Sequence, residues 1–322
     1  MAEIAYASKF FQAFIIFGKI ALLQKLKFSM QNLRQMKFSA HVNCDLDPIS
    51  KWAESRNYKQ IRRANILPPN GILISLDTVP STMDVAREIA SLKMDSNQLE
   101  PFAVSAANQI KGRGTNGRSW VGSKGNVFLT IGLPYESLSI PMTLVPLRIG
   151  TIVANALKPT IENSDLIRLK WPNDVLVEGK KVSGVLIESC VKYMLIGVGI
   201  NLENFPEKEL LQGKENGREA TCLADYGAKV GDEERFEIAK RISGKVIGWS
   251  NGNDEAAVVL KEWKQMVEWS ETFELREEYN AKNPTYKHRK KVKAIGINDF
   301  GNLKVRDVIT GEESLLAAEY LL

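Results

Sequence analysis

Short apolar stretches along the chain are bounded by glycine, proline and polar residues, which is typical of β-strands in a folded domain. They predict strands at 72–76, 102–107, 127–133, 168–171, 181–188 and 193–199. The last two stretches are separated by a short polar segment and are predicted to form a hairpin.

Helical spacing of apolar residues predicts helices before, between and after these strands. The predicted helices cover 52–66, 85–92, 144–158 and most of 233–272. Ser81 can cap the second helix with its side chain, and the proline- and glycine-containing stretch 68–71 predicts a break after the first. In the last helical region, Trp249, Trp263 and Trp269 are predicted to be packing residues.

From about residue 279 the pattern changes to short β segments at 292–297, 303–308 and 313–317, separated by turns at 298–301 and 310–311. They predict a small C-terminal β-barrel, which needs to dock onto a larger domain to be stable. The pattern therefore predicts an α+β protein with three parts. These are a leader (1–44), a main domain (45–278) and the barrel (279–322).

The composition of the 322 residues, 44% apolar and 25% charged, is ordinary for a soluble globular protein. The net charge of +5 permits an anionic ligand but lacks the basic stripe of a DNA reader. Cys44, Cys190 and Cys222 are too widely spaced to indicate a disulfide scaffold or a structural zinc site. His41 and His288 lie in peripheral segments, which argues against a serine or cysteine triad.

Residues 4–44 contain no Asp or Glu but carry several Lys and Arg residues. Their apolar part, roughly 10–23, is too short to span a bilayer. Such a leader is similar to an organelle transit peptide. A helical or disordered extension without any address explains it equally. We therefore expect a cytoplasmic protein without a membrane partner, and organellar targeting stays open.

A glycine-rich segment at 111–125 is the first candidate for chemistry. Glycines let the backbone approach a ligand, and their amides with Arg113 and Arg118 form a donor surface suited to a phosphate or carboxylate. Its spacing fits neither a Walker loop nor the dinucleotide fingerprint. The alternative is a plain surface loop.

Three further segments are ambiguous when each is taken alone. Lys170 leads into a Trp-Pro turn and could neutralise charge where two anions meet, or it could simply reach into water. The Gly-x-Gly at 197–199 could admit a flat ring or mark a bulge. Ser81 and Thr82 could bind a ligand or only cap a helix.

Taken together, the segments resemble the biotin protein ligase family, also called holocarboxylase synthetase, over roughly residues 70–322. The resemblance is carried by five motifs in the family's order: Ser81-Thr82; Gln109-x-x-Gly-Arg-Gly-x-x-Gly-Arg-x-Trp120; Lys170-Trp-Pro-Asn-Asp174; Lys181-Val-Ser-Gly184; and Gly197-x-Gly-Ile-Asn201. It implies a class II synthetase-like domain, in which a mixed sheet has helices on one face, and an SH3-like C-terminal barrel.

The resemblance also implies an activity and a site. The enzyme would form biotinyl-5′-AMP from biotin and ATP with Mg²⁺, and then transfer biotin to a lysine of biotin carboxyl carrier domains. Lys170 and Arg113 would be catalytic. The implied biotin site comprises Ser81, Thr82, Met83, Gln109, Gly112, Arg113, Gly114, Thr115, Lys170, Gly184, Gly197 and Gly199. The implied ATP site comprises Arg113, Arg118, Trp120, Asn173, Lys181 and Asn201, and no metal-binding residue is implied.

The chain departs from the family pattern in places. Thr115 stands where many members have a second arginine, which affects closure of the loop over the adenylate, and Met83 stands where bacterial members often have Asn. Residues 1–70 show no helix-turn-helix pattern, so nucleic acid is not an expected partner. Formation of a homodimer stays open. A lipoate or octanoyl ligase and a non-catalytic sensor of biotinyl-AMP are the alternative functions.

Overall fold

The computed structural model describes residues 48–66, 71–93, 99–206, 219–252, 254–269, 272–275 and 291–317. The predicted leader at 1–44, the break at 68–70 and the domain boundary at 279 lie outside these ranges. The chain divides into two compact units, 1–48 and 49–322, and the fold described below is that of the second unit.

An eight-stranded mixed sheet forms the centre of the fold, with the order β1-β2-β3-β4-β8-β7-β6-β5. Its strands are β1 Gln60–Ile66, β2 Gly71–Val79, β3 Phe102–Gln109, β4 Val127–Pro134, β5 Ile167–Lys170, β6 Asp174–Val177, β7 Lys180–Cys190 and β8 Tyr193–Ile200. Strands β2 and β3 are parallel, whereas the other neighbouring pairs are antiparallel. The predicted α+β class with a mixed sheet is confirmed.

Helices cover both faces of this sheet. They are α1 Pro48–Ser55, α2 Thr82–Leu92, α3 Val145–Leu157, α4 Asp232–Ser250 and α5 Ala256–Met266. Apolar residues of α3, α4 and α5 share one core with one face, and those of α1 and α2 share a second core with the other. The expectation of helices on one face is therefore wrong. Strand β4 shows the reason, because all of its residues are buried and a strand buried on both faces needs cover on both.

The largest error in the predicted elements is the helix at 52–66. Helix α1 ends at Ser55, Asn57 takes a left-handed conformation with φ of 56°, and β1 follows as an edge strand paired with β2. Tertiary pairing overrides the helix-like pattern here. The sequence pattern also missed β6, which directly follows the turn after Pro172.

The region predicted to be mostly helical, 233–272, contains the two helices α4 and α5, and its predicted end at 272 belongs to a strand. Trp249 and Trp263 are buried as predicted. The ring of Trp269 packs edge-on against Trp263 with a centroid distance of 5.6 Å. The other predicted strands and helices are confirmed to within a few residues at each end.

The C-terminal segments form a four-stranded antiparallel sheet in the order β12-β11-β10-β9, called the C-terminal sheet below. Its strands are β9 Thr272–Glu274, β10 Lys291–Ile297, β11 Leu303–Asp307 and β12 Glu313–Leu316. The predicted closed barrel is not confirmed, because the described strands leave β9 and β12 as open edges. Strand β9 precedes residue 279, so the C-terminal sheet takes one strand from the predicted main domain. No helix among the described residues could cross a bilayer.

Candidate active site

A small group of buried polar side chains lies where β2 leads into α2. Ser81 caps the helix, because its Oγ accepts a hydrogen bond of 3.3 Å from the Met83 amide. The Thr82 amide and hydroxyl both donate to Gln109 Oε1, at 2.9 and 3.2 Å. Gln109 is the last residue of β3 and lies beside Val79 in the parallel register. The predicted residues Ser81, Thr82 and Gln109 thus meet at one end of the sheet.

Thr130 belongs to this group, and the sequence did not reveal it. It lies in the middle of β4, is fully buried, and its Oγ1 donates to Thr82 Oγ1 at 2.9 Å. These bonds form a chain of fixed direction, from Thr130 to Thr82 to the Gln109 carbonyl oxygen. The Gln109 amide nitrogen is then left to donate elsewhere. A polar residue in an otherwise apolar strand was the only signal available.

Three glycines leave the backbone uncovered on the sheet face that carries Thr130. This surface, formed by Gly184, Gly197 and Gly199, is called the floor below. A Cβ at Gly197 would lie 2.8 Å from Met83 Sδ, and one at Gly184 would lie 2.9 Å from the Trp120 ring. A Cβ at Gly199 would overlap the same indole. The Met83 and Trp120 side chains therefore lie directly against the backbone here, which a side chain at any of these three positions would prevent.

Strand register places the predicted lysine on this same face. Lys170 pairs with Asp174, Asp174 with Gly184, and Gly184 with Gly199, which in turn pairs with Phe128 of β4. Directly paired residues of antiparallel strands point to the same side of a sheet. The row crosses four strand spacings, about 19 Å in all. The row, called the strip below, has Lys170 at one end. The group of Thr82, Gln109 and Thr130 lies near its other end.

Charged and aromatic side chains cover the middle of the strip. Lys181 Nζ lies 2.5 Å from Asp174 Oδ1 and 5.6 Å from the centroid of the Trp120 ring. Asn173 is committed to the turn, because its Nδ2 donates to the Val185 carbonyl oxygen at 2.6 Å. Among the residues predicted to bind ATP, Lys181 and Trp120 therefore contact each other above the floor.

Besides Asp174 Oδ1, which is ion-paired with Lys181, two buried polar atoms near the floor have no hydrogen-bond partner in the described part of the chain. They are Asn201 Oδ1, an acceptor, and Trp120 Nε1, a donor. The other side of the Asn201 amide is held, because its Nδ2 donates to the Thr221 carbonyl oxygen at 3.0 Å. Buried polar groups are nearly always paired, so these two atoms indicate a place where a polar ligand binds.

The glycine-rich segment folds back on itself as a short loop, called the lid below (residues 112–120). The Gly114 amide donates to the Arg118 carbonyl oxygen at 2.7 Å, and the Trp120 amide to that of Gly112 at 2.9 Å. The guanidinium of Arg118 donates to the hydroxyl and carbonyl oxygens of Thr115, at 3.0 and 3.2 Å. Arg118 and Thr115 thus interact with each other at the exposed tip of the lid.

Arg113 is held by carboxylates at the edge of the site. Its guanidinium contacts Asp84 of α2 and donates to Glu188 of β7 at 3.2 Å, and Arg87 also donates to Glu188 at 2.7 Å. The Arg113 side chain remains 37% exposed. To reach a ligand above the floor, Arg113 has to exchange these partners for an anion.

The site contains no described thiolate or imidazole that could act as a nucleophile. Burial raises the pKa of the Cys222 thiol, which keeps it protonated near neutral pH. His41 and His288 lie outside the described residues. Apart from the Asp174 carboxylate, which is paired with Lys181, the residues that face the strip supply cations, amides and hydroxyls, which suit binding and charge stabilisation.

Comparisons with known proteins agree with this geometry. Residues 76–201 match the profile of the Biotin/lipoate A/B protein ligase family. A biotin–[acetyl-CoA-carboxylase] ligase of Mycobacterium tuberculosis is 28% identical over 56% of this chain and 68% of its own length. Other curated relatives are matched over less than half of their length.

Solved structures extend the likeness over most of the chain. The biotin protein ligase of Leishmania major, in complex with biotin, is 29% identical and covers 79% of this chain and 100% of its own, with a TM-score of 0.55. That of Aquifex aeolicus, in complex with biotin and ATP, is 26% identical over 76% of this chain and 99% of its own, also with a TM-score of 0.55. The chain is therefore similar in sequence and fold to biotin protein ligases, and residues 76–201 match the Biotin/lipoate A/B protein ligase family.

Proposed function

We propose that the protein activates biotin with ATP to form biotinyl-5′-AMP and then attaches biotin to a lysine of the biotin carboxyl carrier domains of carboxylases. The observation that carries this proposal is the row of register partners from Lys170 to Phe128. This strip and the group of Thr82, Thr130 and the half-buried Gln109 together suit an elongated ligand with a polar ring at one end and a carboxylate at the other.

The ureido ring of biotin offers two N–H donors and one carbonyl acceptor, and a buried slot must satisfy all three. The Gln109 Nε2 group can donate to the carbonyl, because Gln109 Oε1 already accepts from Thr82. Ser81 and Thr82 hydroxyl oxygens keep lone pairs for the ring N–H groups. Met83 and Gly197 then bound the apolar part of the bicyclic ring.

Activation joins two anions, so charge is the main barrier. A biotin carboxylate oxygen attacks the α-phosphorus of ATP, a new O–P bond forms, the bond to the β-phosphate breaks, and pyrophosphate leaves. Two unit charges 4 Å apart repel by about 4 kcal/mol at an effective dielectric constant near 20. The ammonium of Lys170, at the end of the strip, offsets this repulsion as the two anions approach.

The nucleotide fits the other features of the strip. The adenine ring can lie on the indole of Trp120 or replace it on the glycine floor, and its amino group can donate to the unpaired Asn201 Oδ1. Lys181 lies beside this place and can pair with phosphate instead of Asp174. No group of three His, Cys, Asp or Glu in the described ranges could hold a metal ion, so Mg²⁺ would be held mainly by the triphosphate.

The lid protects the product. Biotinyl-5′-AMP is a mixed anhydride that water hydrolyses, so a lid ordered over it slows its loss. Arg113 can move from Asp84 and Glu188 to the adenylate phosphate, because phosphate offers the same bidentate geometry as carboxylate. In the second step the acceptor lysine attacks the carbonyl carbon, the C–O bond to AMP breaks, and the amine loses a proton.

The test is to incubate the purified chain with biotin, ATP and Mg²⁺ and to measure biotin-dependent exchange of pyrophosphate into ATP. Transfer of labelled biotin to a purified carrier domain then tests the second step. Exchange that depends on lipoate or octanoate would instead indicate the other branch of the family. Binding of biotinyl-AMP without any exchange would indicate a sensor and would reject the proposal.

A further inference from the structure

The strand that carries Lys170 is a short edge strand, whose Ile167 and Leu169 side chains are buried in the main core. Strand β5 has only four residues, Ile167–Lys170, and pairs with β6 on one side. Short edge strands are held weakly by their own ladder, because few backbone hydrogen bonds fix them. A charge that must meet two anions has to be placed within a fraction of an ångström, so the contacts at the end of β5 that carries Lys170 bear on catalysis.

Two contacts hold the residues on either side of Lys170, one from the turn between β10 and β11 of the C-terminal sheet and one from the segment that precedes β9. The indole Nε1 of Trp171 donates to the Gly301 carbonyl oxygen at 2.9 Å. On the other side, the Glu268 amide donates to the Leu169 carbonyl oxygen at 2.9 Å, and Leu169 pairs in parallel with Val267. That segment leads directly into β9.

The turn that carries Gly301 is itself well ordered and closely seated. Asn298 Oδ1 accepts from the amides of Phe300 and Asn302, at 3.0 and 2.9 Å. Gly301 has a φ of 79°, and a Cβ there would lie 2.9 Å from Leu144 Cδ2. The carbonyl that receives the Trp171 indole is therefore fixed by contact with the residue that precedes α3.

We propose that the C-terminal sheet is a positioning support for Lys170, acting through the Trp171–Gly301 hydrogen bond and the backbone contact at Leu169. The inference rests on the proposed function, because it assigns the sheet a part in placing the lysine for adenylate formation. Trp171 and Gly301 are positioning residues, since they touch the strand and turn that hold Lys170 and not the reacting atoms.

The tryptophan test compares two conservative substitutions. Trp171→Phe keeps an aromatic ring but removes the N–H that reaches Gly301. Trp249→Phe is the matched control, because Trp249 is a buried tryptophan whose Nε1 has no partner within the described ranges. We expect kcat for biotin-dependent pyrophosphate exchange to fall about tenfold in Trp171→Phe, with KM for biotin within twofold of wild type. The control should retain wild-type kcat.

The glycine test compares two positions with the same backbone conformation in the C-terminal sheet. Gly301→Ala and Gly311→Ala introduce similar strain, at φ values of 79° and 74°, but only at 301 does the new Cβ meet other atoms. We expect the kcat loss in Gly301→Ala alone. Because both substitutions strain the backbone, the melting temperature should fall in both variants, so a kcat loss confined to Gly301→Ala is what distinguishes positioning from a general loss of stability.

The outcomes separate this inference from the proposed function. If the wild-type chain shows no exchange, the proposed function fails. If the wild type is active and Trp171→Phe and Gly301→Ala both keep its kcat, the positioning role is refuted while the function stands. Equal losses in each variant and its control would also refute it. Should Gly301→Ala not fold, the tryptophan pair decides.

Discussion

The hydroxyl of Thr130 offers a sharp test of how the binding pocket is built. Thr130→Val keeps the size and branching of the side chain but removes the donor that reaches Thr82 Oγ1 at 2.9 Å. The buried Thr82 oxygen then loses its donor, so its hydroxyl can reorient and no longer offers a fixed lone pair to the ligand, while the Thr82 amide still holds Gln109 Oε1. We expect weaker binding of biotin, with little change in kcat.

The magnitude follows from the burial of this hydrogen bond. The net contribution of one hydrogen bond to stability is about 1 kcal/mol, and a buried acceptor left without a donor costs about 1–3 kcal/mol. A loss of about 1–2 kcal/mol from binding corresponds to a dissociation constant about 5- to 30-fold higher. Titration calorimetry with biotin, without nucleotide, measures this value directly.

Thr151→Val is the matched control for Thr130→Val. Thr151 is equally buried, but its hydroxyl donates to the Leu147 carbonyl oxygen of its own helix α3. Both variants lose one buried hydroxyl, so their melting temperatures should fall by similar amounts. The reasoning is refuted if Thr130→Val binds biotin as tightly as Thr151→Val does.

Other predictions concern the floor, the lysine and the thiols. Lys170→Ala should lower the rate of adenylate formation by about 10²–10³-fold, because about 4 kcal/mol of repulsion is no longer offset. The melting temperature should stay near that of wild type. Turnover at the wild-type rate would remove the lysine from the mechanism. Gly199→Ala should cost about 1–3 kcal/mol of stability and raise KM for ATP, because its Cβ overlaps Trp120, whereas Gly244→Ala, whose Cβ meets open space in α4, should stabilise by about 0.5–1 kcal/mol. Equal melting temperatures for the two would contradict the packing described. With the third cysteine replaced by serine, Cys190 and Cys222 should resist a thiol reagent at pH 8 until the chain unfolds, because both are buried and the raised pKa of Cys222 leaves less thiolate than a free cysteine has; fast labelling of the native chain would show that these thiols are accessible.

The lid arginine, Arg113, is already paired with Asp84 and Glu188. In the proposed function, ligand binding would exchange one set of anionic partners for another. The exchange is close to balanced, because guanidinium bonds to carboxylate and to phosphate are similar. Thr115 takes part in the lid as a partner of Arg118, a role that its place in the motif did not suggest.

Much of the fold was predictable from local patterns. Strands β2, β3, β4, β7 and β8 were found because their apolar runs are bounded by turn residues, and α2 because Ser81 caps it. The helix predicted at 52–66 failed, because β1 is an edge strand whose polar residues show no strand alternation. Its conformation depends on pairing with β2, which local sequence does not reveal.

The sequence by itself determined which residues could form a site: the glycines, the lysine before the Trp-Pro turn and the arginines of the lid are all recognisable as motifs. Only the tertiary structure decided how they combine. The row from Lys170 to Gly199 depends on strand register, in which a shift of one residue would turn the lysine to the opposite face. Thr130 joins Thr82 across 48 positions of the chain, and Trp171 joins Gly301 across 130. Such pairs form because burial in a common fold brings their hydrogen-bonding groups together, and short-range sequence patterns carry no record of that.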